Sequence, residues 1–337
     1  MKQNMYEWLK ALQESGTKLP LPILSFPGIQ LVNGLTVREL VSDSAKQAAV
    51  MEAVAGRVRA AAAVGFMDLS VEAECFGAEV AYTDGEVPTV VGRRIEDAAD
   101  AEALQVPAVG AGRTSVYLDA VRMAKEKISD RPVFAGMIGS FSLAGRLLDV
   151  TEAMVLCYTD PELLHTVLGK VTEFLIAYGL AFRAAGADGI LVAEPLAGLL
   201  GPEQASEFSE PYIRRIVEAV QNEHFLVIYH NCGNAAVQML DSILRTGAAA
   251  YHFGNAIRMA EVLERAPAET VVMGNLDPAG ELRNGTVESV RAATQRLMEE
   301  CGRYANFVPS SGCDIPPQAK WENIDAFFEA VSEYYRS

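Results

Sequence analysis

The sequence has few of the residues that most often carry chemistry. Only four histidines (His165, His224, His230, His252) and five cysteines (Cys75, Cys157, Cys232, Cys301, Cys313) occur among 337 residues. An odd cysteine count in so long a chain argues against a disulfide framework and raises metal binding or thiol reactivity instead. Cations are scarce too: 28 Lys and Arg stand against 44 Asp and Glu, a formal net charge of −16. Nucleic acid is a poor partner for such a surface, because its binding needs clustered cations. The acidity serves solubility or the docking of a basic partner protein. No apolar run reaches the roughly 18 residues of a membrane span, so none is expected. The opening MKQNMYEWLKALQESG is polar and amphipathic, without the apolar centre of a secretory signal. The expectation is a cytoplasmic protein.

Half of the residues are hydrophobic, enough for a large core. Short β-rich apolar runs alternate with longer helical patterns, which reads as β/α units on a parallel sheet. The runs are Pro22–Ser25, Phe66–Ser70, Val133–Met137, Gly189–Ala193, Phe225–His230, Ala249–Phe253, Val271–Asn275 and Asn306–Pro309. Helical patterns cover 43–64, 114–128, 160–185, 202–220, 234–246, 287–301 and 321–335, and residues 74–92 read as a β-excursion. Eight strands favour a closed (β/α)8 TIM barrel over an open sheet. We expect a single domain over 1–337 with a short N-terminal helical extension.

In such barrels the chemistry lies at the C-terminal strand ends. The fifth run ends in His230-Asn231-Cys232. In extended chain, His230 and Cys232 point to one side, half of a plausible zinc site. The spacing alone is common. Cys313, in the loop after the eighth run, lies on the same rim. One nitrogen and two sulfurs with an open fourth position form the pattern of a catalytic zinc. His252, near the end of the sixth run, is a fourth ligand, a substrate contact or a core residue. Glu194 ends the fourth run and is a metal ligand, a general base or a structural carboxylate. Asn275 and Asp277 shape the pocket or cap the next segment. Glu72 comes after the second run as a substrate-binding candidate, and Asp68 points inward. Cys75, Cys157 and Cys301 are structural thiols.

These pieces carry a resemblance. AGMIGSFSLAGRLL (135–148), AGADGILVAEPLAGLLGPEQASEFSEPY (185–212), YHNCGN (229–234), MGNLDPAG (273–280) and SSGCDIPP (310–317) resemble the uroporphyrinogen decarboxylase superfamily. The narrower resemblance is to its zinc-dependent corrinoid methyltransferases. It implies a (β/α)8 barrel, with His230, Cys232 and Cys313 matching the zinc motif. The implied reaction moves a methyl group between a corrinoid, carried on a corrinoid protein, and a thiol such as coenzyme M or a pterin. Glu194 or His252 would take up the thiol proton. The decarboxylases carry arginines shortly after the first strand, whereas Ser25–Gln30 here has none. Carboxylate-rich substrates would lack their counter-charges. A lyase acting on another substrate, and a barrel that only binds a corrinoid or tetrapyrrole, are the alternatives.

Overall fold

A computed structural model of the chain describes residues 3–336. Seven parallel strands curl around an axis: β1 (Ala63–Val64), β4 (Val133–Ile138), β5 (Gly189–Ala193), β6 (Leu226–Asn231), β7 (Ala250–Phe253), β8 (Val271–Leu276) and β9 (Phe307–Ser311). An antiparallel hairpin, β2 (Glu79–Ala81) with β3 (Thr89–Val91), forms the excursion expected after the second run.

The eighth stave is the expected first strand, and it is irregular. Pro20 and Pro22 bring no backbone N–H, so a regular ladder cannot form there. Residues 20–25 nevertheless lie between β9 and β1. Leu21 donates to the Pro309 carbonyl at 3.0 Å, and Ala61 donates to the Pro20 carbonyl at 2.8 Å. The Ser25 hydroxyl donates to the Val64 carbonyl. The sheet is thereby closed into a (β/α)8 barrel.

Alternation along the strands sorts residues between two cores. Leu191 and Ala193 of β5, Leu226 and Ile228 of β6, Ala250 of β7 and Val308 of β9 fill the interior. Ile190 and Val192 face the helix layer instead. The amphipathic helix Met5–Glu14 plugs the far end, with the Trp8 ring 5.6 Å from that of Phe134. Helix Pro161–Ala184 is long and apolar enough to cross a membrane by composition. Here it packs on β4, β5 and helix Glu210–Val220, which explains its apolarity.

Several expected boundaries move. The helix expected over 43–64 stops at Arg57. Beyond it, the amides of Ala61 and Ala63 go to Pro20 and Pro132, so sheet pairing overrides the helical propensity of the alanines. The second strand pairs earlier than its apolar run, at Ala63–Val64. The helix expected over 202–220 divides into Pro202–Phe208 and Glu210–Val220, because Pro211 has no N–H to continue the first. Only Leu240–Arg245 of 234–246 is helical.

Candidate metal centre

Strand parity brings His230 into the barrel: it shares the inward face of β6 with Leu226 and Ile228. Cys232 comes directly after the strand. Cys313 arrives on the loop after β9, which is tied down by the Ile315 amide donating to the Ile23 carbonyl at 3.0 Å. The ligand atoms of His230, Cys232 and Cys313 lie within 4.8 Å of one another. Cys313 Sγ is 3.5 Å from His230 Nε2. Tetrahedral zinc with ordinary bond lengths separates a sulfur and a nitrogen ligand by about 3.6 Å. The donor set and its spacing therefore suit such an ion.

The proton positions also suit it. The Ser310 hydroxyl donates to the Leu21 carbonyl at 2.7 Å. A carbonyl can only accept, so the serine oxygen is left to accept from His252 Nε2, 2.7 Å away. His252 Nδ1 then accepts from His230 Nδ1–H at 2.8 Å. This leaves His230 Nε2 with a free lone pair facing Cys313. Burial, and then the neighbouring His230, hold His252 far below the usual histidine range, so it stays neutral. His252 thus stands behind His230 in the way that hydrogen-bonding groups commonly stand behind metal-binding histidines.

The two sulfurs differ. A hydrogen bond from the Cys313 thiol, outweighing burial, makes the Cys232 thiol ionise readily. Cys313 is then held protonated by the anion beside it and by burial; a bound dication would remove that opposition. Burial raises Cys75 and Cys157 to about 11 and Cys301 to about 12. These three are not poised to ionise.

Glu194 has the opposite parity to Ala193 and faces outward. Its Oε1 accepts from the Phe141 amide at 2.9 Å, and its Oε2 accepts from the amide and hydroxyl of Ser142 at 3.0 and 2.8 Å. It caps the buried helix Ser140–Leu148. A Cβ on Gly139 would stand 2.3 Å from its carboxylate, so only glycine admits this approach. Burial still raises Glu194 to about 7. Glu72 is buried, accepts from the Ile138 amide at 3.1 Å, leaves Oε2 without a partner, and is also raised to about 7 by burial. Asn275 donates to the carbonyls of Gly254 and Ile257. Asp277 caps residues 278–283 through the amides of Ala279 and Gly280. Asp68 is buried in a pair with Arg113, which also binds Glu74 and Ser70.

A cavity of about 70 Å³ opens on the three-residue cluster, walled by Ile23, Met67, Leu69, Ala193, Pro195 and Asp314. Glu194, His252, Glu72, Asn275 and Asp277 are absent from this wall. Asp314 is the polar neighbour that sequence patterns alone do not single out, although it adjoins Cys313. Its Oδ1 is buried without a hydrogen-bond partner, and burial pushes the carboxyl well above the usual range.

A family profile described as uroporphyrinogen decarboxylase (URO-D) matches residues 28–334. A "Methylcobamide:CoM methyltransferase MtbA" of Methanosarcina mazei is 28% identical over 278 residues, covering 79% of this chain and 78% of that one. A "Uroporphyrinogen decarboxylase" of Thioalkalivibrio sulfidiphilus is 30% identical over 282 residues, covering 80% and 78%. The solved structure of a "methyltransferase from Methanosarcina mazei" superposes with a TM-score of 0.86 at 26% identity, covering 99% of both chains.

Proposed function

This chain belongs to the uroporphyrinogen decarboxylase family, and within it we propose a zinc-dependent methyltransferase that moves a methyl group from a corrinoid to a small thiol. The observation that carries this reading is the convergence of His230, Cys232 and Cys313 on one cavity, with His230 Nε2 held unprotonated. His230, Cys232 and Cys313, which line the cavity, would hold the ion. Zinc bound there supplies a Lewis acid that makes a thiol ionise near neutral pH.

The chain's own part is positional. The apolar wall of Ile23, Met67 and Leu69 excludes water and orients the acceptor sulfur toward the barrel mouth. The sulfur's electron pair forms the new S–CH3 bond as the Co–C bond breaks. Cobalt keeps the pair of the broken bond, and the thiol proton passes to solvent. The methyl-carrying corrinoid would be presented at the mouth by a separate corrinoid protein.

The decarboxylase relatives favour a lyase as the second reading, but no cation lines the cavity among the described residues. Metal analysis with a methylcobalamin assay separates the two. The expected result is near-stoichiometric zinc and a thiol-dependent change in the corrinoid spectrum, both lost in Cys232→Ala and Cys313→Ala. Zinc-free protein with unaltered variants, or carbon dioxide release from a porphyrinogen, would overturn it.

A further inference from the structure

The middle residue of His230-Asn231-Cys232 has no part in the donor set, yet it is wholly buried. Pleat parity turns Asn231 to the outer face of β6, on the side of Tyr229 and away from His230. Its amide has one orientation only. The Gly233 backbone N–H, 2.9 Å away, can only donate, so Asn231 presents Oδ1 to it. Asn231 Nδ2 then donates to the Tyr229 hydroxyl oxygen at 3.2 Å. A side chain that bonds the backbone two residues on forms an Asx turn. Cys232 is the residue spanned by that bond.

No strand ladder fixes Cys232. The pairing of β6 with β5 ends at His230, and its pairing with β7 ends at Asn231. Two neighbouring loops close on the turn instead. The Gly254 amide donates to the Asn231 carbonyl at 3.1 Å. On the other side stands the short turn Ala197–Leu199 after β5. A Cβ on Gly198 would fall 2.5 Å from Gly233 Cα and 2.6 Å from Asn231 Oδ1. Backbone therefore lies directly against the Asx bond, and the wholly buried Asn231 keeps that bond out of water, where it is hardest to replace.

We propose that Asn231 is the positioning residue for Cys232: its bond to the Gly233 amide fixes the direction of the Cys232 sulfur toward His230 and Cys313 before any ion arrives. The inference rests on the metal-site part of the reading above and goes beyond it, giving a role to the position that an H-x-C pattern leaves open. Outer groups that orient a ligand are worth about 10–100-fold in metal affinity.

The test is chelator competition for zinc, with visible spectra of the cobalt(II)-loaded full chain, on the parent and two variants. Asn231→Ala removes the acceptor for the Gly233 amide, and Asn231→Asp keeps it. Asn231→Ala should weaken zinc about tenfold or more and lower the sulfur-to-cobalt charge-transfer absorption at saturating metal. Asn231→Asp should restore both to near the parent's values. An asparagine that serves packing alone would lower the urea stability of the metal-free chain by as much and leave the cobalt spectrum of the loaded protein unaltered. That pattern would overturn the proposal. So would an unchanged zinc affinity in Asn231→Ala, or an Asn231→Asp as weak as Asn231→Ala. Methylcobalamin demethylation is read in parallel. The expected zinc and cobalt results without demethylation would leave the Asn231 assignment standing and remove methyl transfer. A parent chain that binds neither zinc nor cobalt would remove both.

Discussion

His230 shows how much of a candidate metal ligand's character comes from atoms behind it. Its Nε2 is available because His252, Ser310 and the Leu21 carbonyl pass a fixed direction of hydrogen bonding along the inner wall. Replacing His252 by Phe would fill the space and remove the acceptor for His230 Nδ1–H. Supporting groups of this kind are worth about 10–100-fold in metal affinity. Competition with a chromophoric chelator should show His252→Phe weakening zinc by that order, with helix content unchanged; an unaltered affinity would deny the relay. Little of this was legible in the sequence. The H-x-C pair and Cys313 could be read from strand ends, and His252 could be placed on the rim. Its role could not, because Ser310 and Leu21 lie 58 and 289 positions away from their partners. Asp314 was visible in SSGCDIPP, but only the shape of the cavity distinguishes it from any acid after a cysteine.

Among the elements, pleat parity was the most readable feature. Counting by twos from Leu226 puts His230 inside, and counting from Ile190 puts Glu194 outside. What hid the second conclusion was helix Ser140–Leu148, whose start after β4 has no capping side chain of its own. Glu194 supplies that cap from the next strand. The βα loops meet as closely on the other side of the metal cluster. A Cβ on Gly254, after β7, would fall 2.5 Å from Cys232 Cα and 2.6 Å from its Cβ. The clash is with backbone, so relief requires moving Cys232. Gly254→Ala should therefore cost more zinc affinity than global stability. The comparison is chelator competition against urea unfolding of the metal-free chain. Equal losses in both would place the effect in general packing.

For the whole molecule, two buried carboxyls add a contribution that grows in acid. Glu72 and Glu194 are each raised from 4.5 to about 7 by burial. The folded chain thus binds more protons than the unfolded chain between those values. Their contribution is fully present below about pH 4.5 and is lost as pH rises through about 7. The net charge of −16 acts in the same direction, since protonation relieves self-repulsion. Buried His252 and the readily ionised Cys232 act in the opposite direction, so the carboxyl contribution is read by comparing urea unfolding of a variant with the parent at pH 5 and pH 8. Glu72→Gln, which mimics the protonated form, should gain on the order of 2–3 kcal/mol at pH 8 and almost nothing at pH 5. A variant with the same pH slope as the parent would contradict this.

The irregular stave at residues 20–25 joins these scales. It bonds to β9 through Leu21 and to the Cys313 loop through Ile23, and its Leu21 carbonyl orients the hydrogen bonds that free His230 Nε2. Sealing the barrel and readying the metal site are therefore one cooperative event, and linkage requires each to report on the other. Zinc should act as a clasp on the seam. In hydrogen exchange, its removal should raise opening at 20–25 and 307–315 well before it is felt in β5. A cell short of zinc would then hold this enzyme with its barrel intact on one side and breathing on the other.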